Sequence, residues 1–168
     1  MKYFTSKWWS ETSLEEGDDT FERYRAYINS IRSKLPPEVL RLVEGVSLHE
    51  GRVRSVALDA KAALLVLKLD GFDYSPLSEG KRPTNLQIAL RYEGVSAFSV
   101  TGKLNTWFKE SELGYLEIEV LGRGKFEHRM LFCSGDEITI RFRNLTVETL
   151  PKQKPTLQAS AQRTQTRR

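Results

Sequence analysis

The chain has 168 residues, of which 39% are hydrophobic and 29% charged, with one cysteine and two histidines. A chain of this length makes one ordinary domain, or one domain with a tail, and buries roughly 70% of its unfolded surface. The composition excludes an internal disulfide, and it contains no run approaching the ~18 apolar residues of a membrane-spanning helix. Met1-Lys2-Tyr3-Phe4-Thr5-Ser6-Lys7 has no apolar core of the kind a secretion signal requires. A cytoplasmic protein is the expectation.

The net charge of +4 invites a nucleic-acid reading, but its distribution argues otherwise. Five of the 26 basic residues, Lys152, Lys154, Arg163, Arg167 and Arg168, follow Leu150, where no acid occurs; the remaining 21 face 22 acids. The body is neutral and the tail basic, whereas a polyanion footprint belongs on the fold itself. The expected organisation is a single α+β domain over residues 1–150 and a disordered basic tail over 151–168, capable of nonspecific contact with anions.

In chain order, the first 16 residues are dense in aromatics: Tyr3, Phe4, Trp8 and Trp9. Asp19 and Glu22 form a capping-box-like start to an amphipathic helix carrying Phe21, Tyr24, Ile28, Ile31 and Leu35 on one face. Pro36-Pro37 ends it, and Pro37 opens a short second helix that carries Val39, Leu40, Leu42 and Val43 and stops at Gly45. Beyond Gly45 the period changes to 2. Strands are expected at Arg52–Asp59, at Ala62–Leu69 (apolar enough for burial on both faces), around Leu86–Tyr92, and around Leu116–Val120. Gly122-Arg123-Gly124 is a turn into a strand with Phe126, His128, Met130 and Phe132 on one face. Ser134-Gly135-Asp136 is another turn, and Leu145 and Val147 are out of phase with Ile138, Ile140 and Phe142, which calls for a bulge or break near Arg143-Asn144. Ser96–Leu113 is ambiguous, a loop with one helical turn carrying Trp107 and Phe108. The expected fold class is therefore α+β: two N-terminal helices packed on a mostly antiparallel sheet.

No catalytic or metal-binding spacing emerges. His128 sits on an inward face and reads as a core histidine with one hydrogen-bond partner. His49 and Glu50 are neighbours that point apart in an extended chain, and Cys133 reads as a buried, inert thiol. Asp70 and Asp73, read as loop carboxylates, lack the ligand count of a calcium site. No cofactor and no metal are expected. The residues chosen for partner binding are Trp8, Trp9, Trp107 and Phe108, because large aromatics anchor protein interfaces. The alternative is a small metal-dependent hydrolase using His49, Glu50 and His128.

The opening Met1-Lys2-Tyr3-Phe4-Thr5, the turn Leu48-His49-Glu50, and the pair Glu127–Phe132 and Gly135–Ile138 resemble a group of uncharacterised bacterial proteins. Its members have Leu-His-Asp where this chain has Leu48-His49-Glu50, and the similarity spans most of residues 1–148. That group supplies no catalytic residues to carry over. The resemblance implies a small α+β protein, similar in style to the immunity proteins that neutralise contact-delivered toxins, and hence another protein as partner.

Overall fold

The structure is a computed structural model; it describes residues 1–12, 19–73, 84–102 and 111–151. Trp107, Phe108 and the basic tail lie outside the described residues. The helical elements are α1 (Ser6–Thr12), α2 (Thr20–Ile31), continued by a single 3-10 turn at Arg32–Lys34, and α3 (Pro37–Glu44). The expected helices are thus α2 and α3, and a third, α1, holds the two adjacent tryptophans. Asp19 precedes α2 but caps it with no side-chain hydrogen bond. Its carboxylate accepts from Arg23 and that of Glu22 from Arg25, so guanidinium groups one turn on displace the expected capping box.

Nine strands follow among the described residues: β1 (Val46–Ser47), β2 (Val53–Asp59), β3 (Leu64–Asp73), β4 (Thr84–Glu93), β5 (Ala97–Val100), β6 (Leu113–Gly122), β7 (Lys125–Phe132), β8 (Glu137–Phe142) and β9 (Asn144–Pro151). They form two antiparallel sheets rather than one. In the first, β1 and β2 both pair with β3, which is followed by β4 and β9; the second runs β5-β8-β7-β6. Hairpin chemistry sets the local pairings. Arg123 and Gly124 both take positive φ (54° and 67°), as a two-residue turn matched to strand twist requires.

The slip expected near Arg143 is where the chain changes sheets. β8 pairs with β7, and β9, one residue later, pairs with β4. Ile138, Ile140 and Phe142 on one side of that crossing and Leu145 and Val147 on the other enter the same core. The sheets therefore bury their inner faces against each other, as a sandwich does. β3 shows Leu65, Leu67 and Leu69 fully buried while Leu64 and Val66 are half-buried and Lys68 exposed. It is covered on one face, not two. Asp70, expected in a loop, lies in this strand and accepts from Arg54 of β2.

The helices guard sheet edges. On β6, the Ile118 and Val120 amides donate to the hydroxyls of Tyr24 and Tyr27 of α2, at 2.9 and 3.3 Å. On β9, the Val147 amide donates to Glu38 of α3 and its carbonyl accepts from Arg41, at 2.9 and 2.8 Å. An unpaired strand edge is a template for aggregation, so these side chains spend their polarity where another chain would dock. No helix among the described residues is long and apolar enough to cross a membrane.

Candidate functional site

The outer face of the second sheet is polar in sequence, and one feature of it is unexpected. Glu117 of β6 is only 2% exposed. Its carboxylate accepts from three successive amides, Lys2 at 2.8 Å and Tyr3 and Phe4 at 2.6 Å. Successive backbone N–H groups turned inward make a concavity for an anion. Here the anion belongs to the protein, and it latches the N-terminal segment onto the sheet. Arg129 of β7 completes the arrangement, 3.6 Å from Glu117, 2.7 Å from Glu119 and paired with Glu127. Burial would raise the Glu127 carboxyl, but the hydrogen bond from Arg141 and the charge of Arg129 outweigh it and hold that carboxyl below its ordinary range.

The latch positions an aromatic cluster centred on Tyr115, two residues before Glu117 and on the same face of β6. Phe4 stacks on the Tyr115 ring at 5.0 Å and 23°. Trp8, Trp9 and Phe21 meet it edge-on at 5.0, 5.4 and 5.6 Å. His49 lies 5.8 Å away. Offset and edge-on pairs at such separations are the favoured geometries for quadrupolar rings. Phe4 is buried, while Trp8, Trp9 and Tyr115 are half-buried and Phe21 is 48% exposed. Beside the cluster runs a groove of about 500 Å³, walled by Phe4, Phe21, Tyr24, Tyr115, Leu48 and His49.

The Leu48-His49-Glu50 turn is a corner joining the sheets. The Glu50 amide donates to Leu113 and the Leu113 amide donates to Gly51. Glu50 takes φ of 61°, and Gly51 is required because a Cβ there would lie 2.1 Å from the Asp70 carbonyl oxygen. His49 Nδ1 sits 2.6 Å from the Gly114 carbonyl oxygen, which fixes the ring against β6. Leu48 is fully buried; His49 and Glu50 are exposed. Here the motif that carried the resemblance works as architecture.

His128 is elsewhere, fully buried between the sheets. Its Nδ1 lies 2.7 Å from the Tyr92 hydroxyl, and its Nε2 has no partner among the described residues. Burial pushes its pKa down to about 3. His49 and Glu50 at the surface corner and His128 in the core therefore occupy separate environments. Among the described residues no group of three or more His, Cys, Asp or Glu could hold a metal ion. Cys133 is exposed rather than buried, because it begins the turn just past β7 instead of lying in the strand. Residual burial of the sulfur, with the nearby Glu112 and Glu50 charges, pushes its thiol up, away from the reactive thiolate.

A family model described as a protein of unknown function (DUF4085) matches residues 1–142. The chain belongs to that family. The DUF4085 match takes in the N-terminal latch, the corner turn and the Tyr115 cluster, and it ends at Phe142, where β8 leaves the second sheet. β9, which pairs with β4, lies beyond it. No curated protein matches the chain.

Of the residues chosen from sequence, Trp8 and Trp9 stand in this DUF4085 cluster, and Tyr115 and Phe21 are additions. Tyr115 was legible only as an aromatic in phase with Glu117 and Glu119, on what reads as the solvent face of its strand. Phe21 was legible as the first residue of the apolar face of α2.

Proposed function

We propose that the protein is a non-catalytic, cytoplasmic protein-binding module that engages its partner through the aromatic face built on Tyr115. One observation carries the reading: Phe4, Trp8, Trp9, Phe21 and Tyr115, from three separate stretches of chain, converge within 6 Å ring spacings and leave a large aromatic, Phe21, 48% exposed at the rim of a groove. Rings of this kind are the side chains most enriched at the energetic centres of protein interfaces, because they bury much area for little lost conformational freedom. In the interior, His128 is sealed from solvent. The narrower form of the reading is immunity, in which the partner is a toxin whose activity the bound chain blocks.

The test is affinity capture from a lysate of the source cells with the intact chain and with Phe21→Asp and Trp9→Ala, captured proteins being identified by mass spectrometry. A protein held by the intact chain and lost from both variants, with circular dichroism unchanged, supports the reading. An identical captured set for all three forms overturns it. For the immunity form, coexpression with the captured protein must restore growth that this protein alone arrests.

A further inference from the structure

The edges of the two sheets are treated unequally. β6 and β9 are guarded by α2 and α3, whereas nothing among the described residues pairs with the outer side of β2. Edge strands are ordinarily protected by charges, proline, a β-bulge or cover. β2 has a register irregularity between Val53 and Ser55, but beyond it Ser55-Val56-Ala57-Leu58 is uncharged and contains no proline. Its flanking charges are turned to other uses. Arg54 donates to Asp70, and Asp59 accepts from the Lys61 and Ala62 amides in the following turn.

Register adds an apolar component. Val56 lies opposite Leu67 and Leu58 opposite Leu65, so both continue the inner face of the first sheet, where Leu65 and Leu67 are fully buried. Leu58 is nevertheless 50% exposed and Val56 half-buried. The core runs out to this edge, and among the described residues no further strand pairs beyond it.

We infer that β2 is a self-association edge, pairing antiparallel with β2 of a second copy of this chain across a twofold axis. A twofold normal to a continuous sheet keeps each side chain on its own face, so the residue on the axis faces itself. With Ala57 on the axis, Val56 meets the second copy's Leu58 and Ser55 meets its Asp59. Small residues approach closely at the centre, apolar meets apolar, and a hydroxyl meets a carboxylate with no like charges opposed. That complementarity selects a second copy over an unrelated strand. The aromatic face lies on the other sheet, so the inference stands apart from the proposed partner reading.

The experiment is sedimentation velocity of the full chain over a concentration series, with Ala57→Lys, and with Ala57→Cys in a Cys133→Ser background under mild oxidation. Ala57 is exposed in the single chain, so both substitutions leave its fold intact, as circular dichroism checks. The inference expects a concentration-dependent dimer. Ala57→Lys, which sets two cations face to face, returns it to monomer at every concentration, and Ala57→Cys gives a covalent dimer where Lys125→Cys gives none. A chain that is monomeric throughout overturns the inference. So does a dimer that survives Ala57→Lys and fails to cross-link at position 57.

Discussion

The interior around His128 and the surface around His49 are both rich in aromatic rings, yet they use them in opposite ways. Inside, Tyr92 meets Phe142 edge-on at 5.1 Å and its hydroxyl serves His128; all three residues are at most 1% exposed. Outside, Phe4 is buried but Trp8, Trp9, Tyr115 and Phe21 keep part of their area in water, and the N-terminal rings are held by a polar device, the buried Glu117 carboxylate. Rings in the interior contribute to stability through buried area. Those at the surface gain less from folding, and their remaining apolar area is free to be buried by something else. The contrast separates stability from binding, and it can be broken residue by residue.

The largest expected effect is in the interior. Phe142→Ala removes a ring that touches Tyr92 and Phe126 in a closed core, and should cost about 3–5 kcal/mol in urea unfolding. A cost under about 1 kcal/mol would mean the sheets are not packed as described. Next is the acid response of His128. Its pKa falls from 6.5 to about 3 on folding, so between those values the unfolded chain binds the extra proton. Stability held above pH 6.5 is then lost as pH falls, by roughly 1.4 kcal/mol per unit once well inside that window. His128→Met should flatten this part of the profile; an unchanged slope would assign it to carboxylates instead.

Glu117→Ala sharpens the comparison from the other side. It strips the acceptor from the Lys2, Tyr3 and Phe4 amides, and should cost about 1–3 kcal/mol while speeding hydrogen exchange at Tyr3 and Phe4. Exchange at the Tyr92 amide in the first sheet should slow or quicken only with global stability. The smallest stability effect is expected for Trp9→Ala, about 1 kcal/mol or less by thermal denaturation, because the ring is already half in water. A core-sized loss there would make the aromatic face part of the core.

Much of the fold was legible where local chemistry decides. The turns at Gly122–Gly124 and Ser134–Asp136, the proline start of α3 and the slip at Arg143 are all written in short-range residue choices. The slip's meaning was not, because a phase change is the same in sequence whether the strand bulges or crosses to another sheet. Two sheets instead of one is a long-range outcome of that crossing. At the site, Trp8 and Trp9 were visible as unusual residues, but α1 was not, since seven residues carry little periodicity. In sequence, Glu117 is only the polar partner in an alternation with Leu116, Ile118 and Val120. Only the return of the N-terminus, 113 residues away from it in sequence at Phe4, makes it a buried latch.

The central claim is that Phe21 stands in a partner interface while the far hairpin tip does not. The direct measurement places a photo-cross-linking benzoylphenylalanine at position 21 and, separately, at Arg123, and irradiates the chain in its source cells. The account predicts one discrete cross-linked protein from position 21, absent from position 123 and lost when Trp9→Ala is added. No adduct at position 21, or the same adducts from both positions, would contradict it.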